Sequence, residues 1–164
     1  MARASLRFRI LRFLLLAAAG IVLLTLLLVL PLRWLPPLTS SFMLQNWVGQ
    51  ASLSARIRYD WEPRAQISRR AALAVMAAGA PKFLEQPGFD FESIRKAWQR
   101  NARSNKVRGA STISQQVAKN LWLWPGRSWL RKGLEAWLTM WLEICWPKER
   151  ILEIYLNTAQ FGPH

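Results

Sequence analysis

The stretch FLLLAAAGIVLLTLLLVL, Phe13 to Leu30, carries no charged side chain, and the uncharged run continues through Pro31 and Leu32 to Arg33. A helix needs roughly 20 predominantly apolar residues to cross the hydrocarbon of a bilayer. This run meets that length, and it decides where the rest of the chain sits. A cleaved export signal would have an apolar region of only about 7–15 residues, followed by a small-residue cleavage site. The following segment, PLRWLPPLTSSF, offers no such site, so the run reads as a retained anchor. Arg3, Arg7, Arg9 and Arg12 precede it, and only Arg33 follows closely. The positive-inside bias then keeps the amino terminus cytoplasmic and exports the remainder, with Trp34 as a boundary anchor on the far side. The expected organisation is a cytoplasmic basic arm at 1–12, a transmembrane helix at 13–32, a linker and juxtamembrane segment at 33–55, and an exported domain at 56–164.

The charge balance narrows the partners. Lys and Arg number 23 against 9 Asp and Glu, a formal charge of +14. Such a balance calls for an anionic partner. Export argues against nucleic acid and turns attention to membrane headgroups and envelope polymers. Cys145 is the only cysteine and His164 the only histidine. An internal disulfide and a multi-histidine metal site are therefore excluded, and a His-based triad has no foundation. Cys145, between Ile144 and Trp146, reads as a buried small hydrophobe.

Helical signals fill the exported part. SRRAALAVMAAG is a helix with Ser68 as N-cap, stopped at Gly79-Ala80-Pro81. Phe91 to Arg100 is a second, with Phe91, Ile94, Ala97 and Trp98 on one side. Ser111 or Thr112 caps a third that runs to about Leu123. Ser128 to Trp146 is the clearest, with Leu130, Leu134, Trp137, Leu138, Trp141 and Cys145 at helical spacing. Pro147 opens a last one, KERILEIYLN. No run has strand periodicity long enough for a sheet, so the expected class is all-α. Trp137 and Trp141 form an aromatic stripe that suits a core, a lipid contact or a ligand contact.

Within this frame RGASTISQQVAKN, Arg108 to Asn120, stands out. It carries hydroxyls, amides and Lys119 but no acid. Ser111 and Thr112 stand at a helix start, where free N–H groups and the positive dipole end favour phosphate. Gln115, Gln116 and Lys119 continue the same broad face, and Arg127 comes after a short turn. A lysine, an arginine and a helix amino terminus make a pyrophosphate clamp. A solvated polar face is the plain alternative.

These residues also resemble a known family. RGASTISQQVAKNLWLWPGRSWLRKGLEAWLT is similar to the central block of the peptidoglycan glycosyltransferases, closest to the monofunctional, membrane-anchored biosynthetic transglycosylases of Gram-negative bacteria. The G-x-S-T-I-[ST]-Q-Q-x-x-K-N motif is Gly109 through Asn120. The R-K-x-x-E motif is Arg131, Lys132 and Glu135. The K-x-x-I-L-x-x-Y-L-N motif is Lys148, Ile151, Leu152, Tyr155, Leu156 and Asn157. The resemblance covers roughly Arg58 to the end. It implies a lysozyme-like helical domain behind one inner-membrane helix, with the domain periplasmic. It implies processive joining of lipid II into glycan strands, with undecaprenyl pyrophosphate as the leaving group. It implies lipid II, the growing strand, the membrane and other cell-wall synthesis proteins as partners. No cofactor is implied beyond a divalent cation, Mg or Mn, that accompanies the pyrophosphate in some members. Carried over, Lys119 and Arg127 clamp the pyrophosphate. Ser111, Thr112, Gln115, Gln116, Arg131 and Lys132 line the donor site. Glu135 is the family's second important glutamate, a catalytic position.

Two departures stand against the resemblance. The first family motif reads close to LAVIASEDQKF, and this chain has LAVMAAGAPKF. Aligned on Leu73, Ala74, Val75, Lys82 and Phe83, Gly79 takes the place of the general-base glutamate and Ala80 that of the next aspartate. Gln86 takes the place of the motif histidine. Neither Gly79 nor Ala80 can accept a proton. The family pattern also continues past FG with a Gly-rich stretch and further helices, whereas this chain ends at FGPH. The expectation is a C-terminally truncated domain. Its alternative function is that of a catalytically dead or fragmentary member that at most binds lipid-linked pyrophosphate.

Overall fold

The computed structural model describes residues 6–41, 43–44, 61–79, 83–101, 111–126 and 128–159. Every extended regular element among them is helical. In chain order these are α1 (Leu6–Val29), a short 3-10 turn (Pro31–Arg33), α2 (Arg69–Gly79), α3 (Phe91–Asn101), α4 (Ile113–Trp122), α5 (Trp129–Cys145) and α6 (Lys148–Thr158). Helix α1 with its 3-10 extension is long and apolar enough to cross a membrane.

The helix ends obey the chemistry of their caps. The Ser68 hydroxyl accepts from the Arg70 N–H at 3.3 Å, and Asp90 Oδ1 accepts from the Ser93 N–H at 2.8 Å. Ser128 Oγ accepts from the Arg131 N–H at 3.1 Å and opens α5. Pro147, with its fixed φ and no N–H to lose, is the N-cap of α6.

Helices α4, α5 and α6 build the core. Ile113, Val117 and Leu121 of α4 meet Leu138 and Leu142 of α5 and Ile151 and Ile154 of α6. The end of α1 belongs to the same cluster through fully buried Val29. Polar contacts seal this junction. The Trp146 indole N–H donates to the Val29 carbonyl at 2.9 Å, and Arg33 donates to the Cys145 carbonyl at 2.6 Å. Arg150 reaches the Leu32 and Leu35 carbonyls at 3.0 and 2.5 Å. Each of those carbonyls lies at or beyond a helix end, where backbone acceptors lack helical partners. Cys145 is buried, and burial pushes its thiol up from the ordinary value, which suits an inert core residue.

The structure shows which side of α5 turns inward. Its inward face carries Glu135, Leu138, Thr139, Leu142 and Cys145. Leu130 and Leu134, at helical spacing with buried Leu138 and Cys145, are exposed. Helix α5 is apolar on two sides, and periodicity alone does not say which one turns inward. A similar difference affects α3, whose Phe91 and Trp98 are exposed.

Candidate functional site

The site is built where the amino-terminal end of α4 meets α5. Thr112 and Gln115 form a capping box. The Thr112 hydroxyl accepts from the Gln115 N–H at 3.3 Å, and the Gln115 side-chain oxygen accepts from the Thr112 N–H at 3.0 Å. The Thr112 hydroxyl also donates to the Gly88 carbonyl at 2.6 Å. Both side chains are buried. By residue type alone they suit an anion as open donors. In the structure the Thr112 hydroxyl and the Gln115 side-chain oxygen are engaged in closing the turn and holding the loop at Gly88.

What faces outward is a cationic groove. Ser111 is exposed, and Lys132 Nζ donates to its hydroxyl at 3.2 Å. Gln116 donates to the Ser111 carbonyl and accepts from the Tyr155 hydroxyl, both at 3.4 Å. Burial raises the Tyr155 phenol above its ordinary value, which keeps it a donor. Glu135 lies at the base of the groove and is 2% exposed. Arg131 donates to one of its oxygens at 2.8 Å, and Lys132 bonds to the other. The side chains of Arg131 and Lys132 are 11% and 42% exposed, so the cations reach from the buried acid toward solvent.

Lys119 is half-buried in the same electrostatic neighbourhood. Desolvation lowers its pKa first; Glu135 opposes this, and Arg131 and Lys132 add to the lowering. Three cations around one saturated acid leave the groove net positive. An anion entering it meets partly desolvated charge, where attraction is stronger than in bulk water. Glu135 orders the cations from below, and its two oxygens are already occupied.

The structure thus brings together Ser111, Gln116, Lys119, Arg131, Lys132 and Glu135, with Thr112 and Gln115 beneath. Arg127 and Ala80 lie outside the described residues. Gly79 is the last residue of α2 and supplies no side chain. Glu85, the nearest acid to it along the following loop, is exposed.

A second polar cluster escapes sequence reasoning. Glu143 of α5 accepts from the fully buried Ser114 hydroxyl and from Lys148 Nζ, the latter at 2.8 Å. Lys148 also bonds to the Gln86 carbonyl and stands 4.7 Å from the centre of the Phe83 ring. Together with the Thr112–Gly88 bond, these contacts fasten the loop from Phe83 to Asp90 onto α4, α5 and α6. Lys148 is visible through its family motif; the signal for Glu143 is an acid on a largely apolar helix, five positions before a lysine.

Among the described residues no group of three or more His, Cys, Asp or Glu side chains comes together as metal ligands. The groove's one acid, Glu135, is bonded to two cations. This donor set does not fit a protein-held divalent ion.

Known proteins are similar to this sequence. A family model described as transglycosylase matches residues 46–164. A biosynthetic peptidoglycan transglycosylase of Pseudomonas savastanoi pv. phaseolicola is 48% identical over 157 residues, covering 93% of this chain and 64% of the relative. Proteins of the same description from Pseudomonas putida (strain W619) and Xanthomonas campestris pv. campestris are each 47% identical. They cover 97% and 98% of this chain. The chain spans 66% and 65% of their own lengths.

Proposed function

From the premise that the chain belongs to the transglycosylase family, with its lysozyme-like helical domain, we propose that it is a peptidoglycan glycosyltransferase by descent whose cationic groove holds a lipid-linked diphosphate. The observation that carries this reading is the trio Lys119, Arg131 and Lys132 gathered over buried Glu135. Charge-assisted bonds from a planar guanidinium and two ammonium groups suit a diphosphate. Arg127 joins them by family resemblance.

In the parent reaction the acceptor sugar's 4-hydroxyl attacks the anomeric carbon of the donor lipid II, and undecaprenyl diphosphate departs. The groove would stabilise the charge that builds on the departing diphosphate, as pre-arranged donors do in a transition state. The acceptor's proton is the difficulty. Gly79 and Ala80 occupy the positions of the general base and its neighbour, and neither takes a proton. A positioned base is worth roughly 10²–10⁴ in rate. The chain therefore binds donor lipid without polymerising it at the family's rate.

The apolar helix α1 suggests a membrane anchor. We place it in the inner membrane, with the basic arm cytoplasmic and the domain periplasmic. The arginines before the run and their scarcity after it support this. Lipid II, the growing glycan strand and other cell-wall synthesis proteins are the partners this location supplies.

The test uses the full chain in detergent micelles with fluorescent lipid II. Binding displaced by soluble pyrophosphate, with no glycan product on electrophoresis, is the expected result. Glycan strands from the unaltered chain would overturn the second half of the reading. Binding that soluble pyrophosphate does not displace would overturn the first.

A further inference from the structure

Glu143 lies in the last turn of α5, and its side chain is 11% exposed. One of its oxygens accepts from the hydroxyl of Ser114, in the first turn of α4. Lys148 Nζ bridges both oxygens, at 2.9 and 2.8 Å, and bonds as well to the Gln86 carbonyl. Two residues on, buried Gly88 offers its carbonyl to the Thr112 hydroxyl. A Cβ on Gly88 would meet Glu143 Cγ, so the loop lies against the same side chain. One acidic side chain thus touches the start of α4, the lysine that opens α6 and the Phe83–Asp90 loop, three parts far apart along the sequence.

The same stretch of α4 forms one wall of the cationic groove. Ser111 accepts from Lys132, in the first turn of α5, while Ser114 donates to Glu143, in the last. Thr112, between them, is the N-cap of α4 and the anchor of the loop at once. Residues Ser111 to Ser114 are therefore held from both ends of α5 and pinned from the side by the loop. A shift of the loop pulls on Thr112, and its neighbour Ser111 carries the partners of Gln116 and Lys132 in the groove.

Charge and geometry make opposite predictions for Glu143. It stands eight residues from Glu135 on α5, about 12 Å along the helix axis. Acting through its charge, an acid at that range repels an incoming anion weakly, screened by salt and by Lys148. Its removal would then leave anion binding unchanged or tighter. Acting through its bonds, it holds one wall of the groove in place, and its removal would loosen the anion.

We infer that Glu143 is a positioning residue for the groove, whose bonds to Ser114 and Lys148 hold the Phe83–Asp90 loop and the first turn of α4 as one unit on which the grip on a diphosphate depends. This rests on reading the groove as a diphosphate site. The link is reciprocal, so a bound diphosphate steadies the loop in turn. Gln86, aligned with the first-motif histidine, lies in that loop, and occupancy of the groove is thereby felt in the first-motif segment.

The probe is inorganic pyrophosphate, titrated calorimetrically into the full chain in detergent micelles, well below the unfolding midpoint of every variant. Glu143→Gln removes the charge and keeps the size. Ser114→Ala breaks the bond to α4 and leaves the net charge alone. Both should weaken pyrophosphate binding by about 5-fold or more, the lower end for coupled sites. Hydrogen–deuterium exchange on the unaltered chain needs no variant, and amides of the Phe83–Asp90 loop should exchange more slowly with pyrophosphate present. A role in stability alone would move the unfolding midpoint and neither of these readouts. Unchanged or tighter binding in both variants would overturn the inference and leave the groove standing, as would loop exchange indifferent to pyrophosphate. If the unaltered chain does not bind pyrophosphate, the groove reading fails and takes the inference with it.

Discussion

Gly88→Ala is the most informative single change, because it tests how the loop is fastened. Gly88 has φ +79°, in the left-handed region, where an added side chain costs about 1–2 kcal/mol. A Cβ there would stand 2.7 Å from Glu143 Cγ and 3.1 Å from Thr139 Cγ2. Overpacking of that kind costs about 1–3 kcal/mol. The combined loss is about 2–5 kcal/mol. For a chain of this length, each kcal/mol lowers the melting midpoint by roughly 2–4 °C. The expected fall is therefore roughly 4–20 °C, read by thermal unfolding in detergent micelles. The geometry also predicts non-additivity. Glu143→Ala alone leaves Lys148 and Ser114 short of a partner and costs about 1–3 kcal/mol. In the double variant the worst clash is gone, so the two losses should sum to less than their separate values by about 1–2 kcal/mol. Thr139 remains in place, so the relief is partial. Additive losses would refute the claim that Gly88 lets the loop lie against Glu143.

Other expectations concern the groove. Glu135→Gln removes the acid beneath Arg131 and Lys132. Breaking a buried pair costs about 3–5 kcal/mol, and the exposure of Lys132 brings the expected loss to about 2–4 kcal/mol. Chemical denaturation checks it, and lipid II binding should persist, because the cations remain. Lys119 gives a pH signature. Its folded pKa is below the ordinary lysine value, so it sheds its proton earlier than an unfolded lysine as pH rises. Anion affinity should weaken through that depressed pKa, before an ordinary lysine would titrate. Stability moves the other way: between the folded and unfolded pKa values the unfolded chain binds more protons, so this group's contribution rises with pH. Lys119→Arg, which holds its charge, should flatten the affinity profile; an unchanged profile would remove Lys119 from the groove.

The helices were legible in the sequence because their signals are local. Ser68, Thr112 and Ser128 mark starts through hydrogen bonds to nearby backbone, and the 3.6-residue repeat marks the turns beyond them. Which way a helix faces is a different matter. In α5 the buried side includes Glu135 and Thr139, and the exposed side includes Leu130 and Ile144. Polarity sorts faces only when water lies on one side, and beside an apolar anchor it does not. The groove was legible as an acid-free run with a lysine. Its details were not: Thr112 and Gln115 read as donors because a capping box and a ligand site use the same residue types. Glu143 had only a faint local signal, its spacing to Lys148, because its other contacts, Ser114 and the loop carrying Gly88, come from far along the chain.

The central claim is that Lys119 and its neighbours grip a diphosphate on a lipid. Isothermal titration of undecaprenyl diphosphate into the full chain in micelles tests it most directly, alongside undecaprenyl monophosphate and the Lys119→Ala variant. The diphosphate should bind more tightly than the monophosphate, with most of that preference lost in Lys119→Ala. Equal binding of both lipids by both proteins would contradict the claim.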